Sequence, residues 1–313
     1  MSAGNEDRIV RMLGVRNLAI DRLAAEIAAA FDREGIESLV LKGPVLAAWL
    51  YPGELRPYGD ADLMVAPGNW DRAVAILGRL GFADHLGPLG HPRMESFAST
   101  AFLRGEDNLD LHCTVHGLDG DPERIWGAFL GGSAREEIGG AELRVPGEAA
   151  LALHAALHAA HHVEGKPLED LRRAIARADE ETWREALELA HRLDGVPTFA
   201  SGMRLLPQGA ELLLELGVGE EVRSTRHEIR FEGVATAEGI DALLQPGLGP
   251  GRRLGIVLGE LFPRPEFMRW WSPLARRGQL GLLLSYPWRW LYLAIKGPSG
   301  LRTVLRARRG RSR

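Results

Sequence analysis

At 313 residues, with 45% hydrophobic and 26% charged residues, the chain has the composition of a soluble globular protein long enough for two domains of ordinary size, which excludes a segment too polar to bury a core. Its single cysteine, Cys113, excludes an intramolecular disulfide; residues 1–16 are polar and contain no apolar signal-peptide stretch, so a cytoplasmic location is expected. The net charge of −4 conceals a segregation, because 27 basic and 42 acidic residues occur up to Glu266 and 11 basic residues but no acidic one follow it.

In chain order, residues 6–34 place Ile9, Leu13, Leu18, Ile20, Leu23, Ile27 and Phe31 close to a helical period, and Gly35 ends the pattern. An apolar run of strand length, residues 36–41, leads into Lys42-Gly43-Pro44, where Gly makes a turn and Pro opens a helix ending near Tyr51. After a loop, residues 60–65 read as a strand and residues 69–80 as a helix closed by Gly81. Strands over residues 96–103 and 109–115 flank Gly105-Glu106-Asp107-Asn108, a tetrapeptide that suits a hairpin. From Pro146 the pattern turns helical, with segments at residues 148–163, 168–178 and 181–193 and no clear strand before about residues 227–231. The expected fold class is α+β: a small mixed β-sheet with helices on one face, followed by a mainly helical second domain. The boundaries drawn are residues 1–34 for the first helix, 35–146 for the sheet core, and 147–313 for the helical part with its basic, aromatic-rich end.

The chemistry concentrates in three acids. Asp60 and Asp62 stand two apart at the start of a strand, so alternation puts both carboxylates on one face while Ala61 and Leu63 point into a core. Asp110 repeats the arrangement: Leu109, Leu111 and Cys113 alternate with Asp110 and His112. If the two strands are neighbours, three carboxylates converge, the donor set of a hard cation such as Mg²⁺ or Mn²⁺ whose shell substrate phosphates complete. In a two-metal arrangement Asp60 and Asp62 hold both ions, and Asp110 completes the site that activates the acceptor and assists in removing its proton. The alternative for each acid taken singly is a solvated turn or edge-strand residue. Lys42 and Gly43 sit at a strand-to-helix junction, where free N–H groups receive a phosphate, and Lys42 and Arg56 offer cations to it.

Together, Leu41-Lys42-Gly43, Tyr51-Pro52, Arg56, Asp60-Ala61-Asp62-Leu63 and Asp110-Leu111-His112 resemble the DNA polymerase beta-like nucleotidyltransferase superfamily, and within it the bacterial group labelled only "nucleotidyltransferase family protein". A His-bearing helix, residues 151–162, followed by Leu168-Glu169-Asp170-Leu171, extends the resemblance over roughly residues 36–171. It implies a small mixed sheet carrying the three carboxylates, and transfer of a nucleoside monophosphate from an NTP to an acceptor that the group does not define. The turn departs from the superfamily's Gly-Ser or Gly-Gly, and sixteen residues separate Gly43 from Asp60.

His154, His158, and either His161 or His162 share one face of a predicted helix. No Glu follows the first of them and no third ligand sits at a recognisable spacing, which weighs against zinc. Contact of His154 and His158 with nucleotide or acceptor in a cleft, and ordinary packing, remain as the two readings. His112 is either a partner of a neighbouring carboxylate or a buried structural residue. Residues 280–295 are apolar and rich in Trp and Tyr, too short to span a bilayer and interrupted by Pro287 and Arg289. With the basic end they suit either a helix packed on the rest of the chain or peripheral contact with an anionic membrane. Arg-rich ends bind many anions and this one belongs to no recognisable reader fold, which weighs against nucleic acid. A non-catalytic nucleotide- or peptide-binding module on the same scaffold is the alternative to an enzyme.

Overall fold

A computed structural model of the chain describes residues 3–84, 99–162, 165–224, 229, 236–244 and 249–310. These fall into two compact units, one ending at Gly219 and the other starting at Glu220. The helices that follow the sheet therefore cluster with it, where the sequence reading opened a second domain at residue 147.

The first unit begins with helix α1 (Ala3–Arg33). Gly35, at φ 69°, takes the left-handed conformation that ends it, and the Ile36 N–H returns to the Phe31 carbonyl, the 6→1 bond of a glycine C-cap. Strand β1 (Ser38–Val40) follows, then α2 (Pro44–Leu50), β2 (Ala61–Val65), α3 (Trp70–Arg79), β3 (Ala83–Asp84), β4 (Ser99–Arg104) and β5 (Asp107–His112). The five strands form one mixed sheet in the order β1-β2-β5-β4-β3, in which β2 and β5 are parallel and every other pair is antiparallel. The turn between β4 and β5 is shorter than the expected tetrapeptide: Arg104 pairs with Asp107, leaving only Gly105 and Glu106 as loop residues. That is the two-residue hairpin, with Gly105 at φ 61°.

Strand β2 lies inside the sheet and all five of its residues are buried. Its register with β5 sets Ala61 against Leu109, Asp62 against Asp110, Leu63 against Leu111 and Met64 against His112. Period-two alternation therefore gives one face Leu63, Leu109 and Leu111, all fully buried, and gives Asp62, Asp110 and His112 to the other. Helix α1 packs on β1 and β2 and meets α3.

Beyond the sheet come α4 (Pro122–Gly131), a second hairpin of β6 (Ala134–Ile138) and β7 (Ala141–Val145), and five helices: α5 (Glu148–His162), α6 (Lys166–Arg177), α7 (Glu180–Arg192), α8 (Val196–Met203) and α9 (Pro207–Glu215). Helix α5 is the hub, packed against α6, α7 and α8 and buried at ten of its fifteen positions. The β6–β7 hairpin lies against β1 and α1. In the second unit the described helices are α10 (Ala237–Leu243), α11 (Pro250–Leu261), α12 (Pro265–Trp271) and α13 (Gly278–Gly310). Of the strand expected at residues 227–231 only Ile229 is described, and it is helical; the rest lies outside the described residues.

The β6–β7 turn supplies a test of the packing. Gly139 and Gly140 both have positive φ, and a Cβ on Gly139 would stand 2.3 Å from the Asp21 carbonyl oxygen of α1, whereas one on Gly140 would meet nothing within 4 Å. Gly140→Ala is expected to cost only the left-handed penalty of about 1–2 kcal/mol, and Gly139→Ala clearly more, in urea-denaturation midpoints. Equal losses would show that the hairpin does not press on α1.

Candidate active site

Leu41 donates its N–H to the Asp62 carbonyl at 3.0 Å, so the β1–β2 pairing runs to the edge of the Lys42-Gly43-Pro44 turn and holds Lys42 beside the Asp62 side chain. Gly43 takes φ 61°, and a Cβ there would lie 3.4 Å from the Tyr58 ring, so glycine serves the turn itself. The Lys42 Nζ reaches Asp62 Oδ1 at 2.6 Å, and His112 Nε2 lies 3.0 Å from that same oxygen. Oxygens of Asp62 and Asp110 and a ring nitrogen of His112 all lie within 4.8 Å of one another, a spacing that one cation bridges. Asp60, expected as a ligand, does not belong to that cluster; it sits one residue before β2, at the end of the loop.

The electrostatics follow from this crowding. Burial penalises the Asp62 carboxylate, but Lys42 and His112 outweigh it and hold the group ionised, well below the usual carboxylate range. Burial and the Asp62 charge push Asp60 up, and the same two causes push Asp110 up. Burial also works against the Lys42 ammonium, yet the facing Asp62 lifts it above its ordinary value. One carboxylate is thus neutralised by Lys42, and two more are short of countercharge.

Next to the acids is a cavity of about 210 Å³, lined by Lys42, Asp110 and His112, by His116 after β5, and by His154, His158, His161 and His162 of α5. The rings form a chain of contacts, with centroids 5.9 Å apart for His154–His158 and 4.7 Å for His158–His162, His161–His162 and His116–His161. Burial, then the Lys42 charge, pushes His154 down to about 3 and His158 well below its ordinary value, so both are neutral near pH 7. The Nδ1 of His154 is buried and has no hydrogen-bond partner.

Arg56, expected to meet phosphate, is directed elsewhere. It is 3% exposed, and its guanidinium forks onto Asp170 of α6, with Nε 2.9 Å from Oδ1 and a terminal nitrogen 2.5 Å from Oδ2. Tyr51 donates its hydroxyl to the same Asp170 at 2.7 Å. From α1, Asn17 donates to the Arg56 carbonyl at 2.9 Å and accepts from the Tyr58 N–H at 3.2 Å, while Asp21 accepts the Tyr58 hydroxyl at 2.6 Å. The loop from Tyr51 to Gly59, between α2 and β2, is thereby clamped from both sides, by α1 and by α6. Lys166, which the sequence reading passed over, donates to the Pro57 carbonyl at 3.2 Å and lowers the pKa of Asp60 by its charge. Its only sequence signal was that the chain has just three lysines. His116 was likewise missed, since it lies outside both motifs.

Residues 7–208 match the family described as uncharacterised nucleotidyltransferase. The chain belongs to that family. The region that this nucleotidyltransferase-family chain shares with its relatives ends close to Gly219, the end of the first compact unit. No curated protein matches the chain. Among solved structures it is similar to the antibiotic-resistance factor ANT(2'')-Ia, in solution at 20% identity over 55% of this chain and 91% of that one, with a TM-score of 0.41. The crystal structure of ANT(2'')-Ia with adenylyl-2''-tobramycin is similar at 21% identity over 55% and 97%, again at 0.41. A tRNA nucleotidyltransferase complexed with a primer tRNA and an incoming ATP analog is similar at 15% identity over 88% and 99%, at 0.26.

Two outcomes are expected. Asp170→Ala strands a buried guanidinium and should cost about 3–5 kcal/mol in urea denaturation; a loss below about 1 kcal/mol would mean that Arg56 is not held by this pair. Because its folded pKa is depressed, His154 should show no imidazole titration by NMR between pH 8 and pH 5, and it takes up a proton there only on unfolding. A midpoint near 6.5 would place the ring in solvent.

Proposed function

We propose that this chain is a metal-dependent nucleotidyltransferase that moves a nucleoside monophosphate from an NTP to a hydroxyl or phosphate acceptor. What carries the reading is the register of β2 with β5, which brings Asp62, Asp110 and His112 together on one face, with Lys42 on the same oxygen of Asp62. Family membership sets the reaction class, and the carboxylates of Asp62 and Asp110, short of positive charge, suit a hard divalent cation such as Mg²⁺ or Mn²⁺. Asp62 and Asp110 would hold it, with His112 beside them as the partner of Asp62 and Asp60 at the margin. When bound, such an ion polarises phosphoryl oxygens and lowers the pKa of an attacking hydroxyl.

The chain's own groups supply the rest. Lys42 offers a fixed ammonium to a phosphate oxygen that approaches Asp62, taking the grip expected of the turn and of Arg56. The carboxyl of Asp110, pushed up by burial and by Asp62, is suited to accept the proton of an acceptor hydroxyl. Neutral His154 and His158 line the adjoining cavity and offer nucleotide or acceptor an uncharged wall. The cytoplasm, where NTPs are held, is the compartment this reading requires.

The test is incubation with each labelled NTP and Mg²⁺ or Mn²⁺, with and without cell lysate as a source of acceptor. Label transfer is expected from wild type, falling roughly 100-fold or more in Asp62→Asn and about 10–100-fold in His112→Ala. Persistent NTP binding without any transfer, unchanged in Asp62→Asn, would instead identify a binding module.

A further inference from the structure

Helix α13 buries Leu282 and Val304 in two apolar clusters, yet it also turns polar groups inward and apolar ones outward. Its buried face carries Ser285 and Arg289, the latter 3% exposed, with Nε donating to the Glu260 carbonyl and a terminal nitrogen to the Glu260 carboxylate, both at 2.7 Å. Its guanidinium lies 5.0 Å from the Phe267 ring centroid and 5.1 Å from that of Trp271. The opposite face presents Leu280, Leu283, Leu284, Trp288, Leu291 and Ile295, each 50% exposed or more. At 1.5 Å per residue this stripe runs about 22 Å. It continues through Trp290, which donates to the Leu261 carbonyl at 2.7 Å and stands edge-on to the exposed Phe262 ring at 5.5 Å. Soluble monomers seldom leave so large a contiguous apolar patch in water.

We propose that this face docks on the surface of an anionic lipid bilayer. Charge selects that occupant. The exposed cations Arg277, Lys296 and Arg302 bracket the stripe, and no acidic residue follows Glu266. A second copy meeting the same face would set two such basic segments against each other, at an electrostatic cost. Crossing the bilayer is ruled out for this helix, since no described helix is long and apolar enough for it. Trp and Leu at the depth of the headgroups, flanked by Arg and Lys, is the arrangement of an interfacial helix.

The experiment is co-sedimentation of the full chain with vesicles of phosphatidylcholine alone, or of phosphatidylcholine with about one-third phosphatidylserine, a leaflet of the kind that attracts basic segments. Wild type is expected to pellet with the anionic vesicles and to release as salt rises. Arg277→Gln/Lys296→Gln/Arg302→Gln should weaken this about fivefold per cation, and Leu283→Ser/Trp288→Ser/Leu291→Ser at least about tenfold. All six positions are exposed, so both variants should keep the wild-type circular dichroism and melting temperature. Failure to bind either vesicle overturns the proposal. So does a dimer in sedimentation equilibrium that the apolar triple variant abolishes, which would assign the face to a second copy. Binding that is equal on both vesicles and indifferent to salt overturns the charge argument.

Discussion

Everything at the site depends on placing two carboxylates opposite each other across a parallel strand pair. Asp62 and Asp110 share a register position, and like charges directly opposite destabilise a sheet. The sheet tolerates the pair because the two are not equally charged in effect. Lys42 and His112 both converge on one oxygen of Asp62 and keep it ionised in a buried position, while Asp110 is pushed up. A fold selected for stability alone would place an apolar residue at one of these positions, as it does at the neighbouring Leu63 and Leu111. Stability is given up here, and the gain is a cluster of donors waiting for positive charge.

A cluster so poised needs rigid support, and the clamp on the Tyr51–Gly59 loop provides it. Arg56 and Asp170 lie far apart in sequence, yet their buried fork fixes the segment that delivers Asp60 to the start of β2. Tyr51 and Asn17 satisfy the remaining polar groups, so the ion pair leaves no uncompensated charge in the interior. In this chain the Leu168–Leu171 segment of α6 meets the loop ahead of the acid motif through that fork. Its aspartate touches no member of the metal-type cluster, and it acts through Arg56 by positioning the loop.

The elements that repeat a strong period were legible in the sequence. Helix α1, the strand at Asp62 and the three helices after residue 147 fall close to where alternation and capping put them, while the hairpin into Asp110 closes on a shorter turn than expected. The convergence of Asp62 with Asp110 was conditional on strand order, which periodicity does not encode, and the parallel β2–β5 pairing supplied it. The partner of Arg56 was illegible for a related reason: an arginine near an acid motif looks the same whether it faces a phosphate or a distant aspartate. The β6–β7 hairpin went unnoticed although Gly139-Gly140 between alternating residues is a two-residue turn signal. Glu136 and Glu137 are exposed on an edge strand, so the apolar alternation there is thin.

One physical idea joins the two ends of the chain. A folded protein leaves a group in an unfavourable surrounding only where something else completes it. In the first unit the misplaced groups are carboxylates, one buried and two partly so, held close together and short of countercharge. In the second they are leucines and tryptophans held in water, on a helix that buries Arg289 beside Leu282. The same accounting reads both: crowded acids call for a cation, and an apolar stripe bracketed by cations calls for an apolar phase with a negative surface. Composition alone shows the basic segment and its aromatic content. The helix packs on its neighbours through Leu282 and Val304, and only the burial of Arg289 beside the exposure of Trp288 shows which of its aromatic residues face outward, the orientation from which the docking face is proposed.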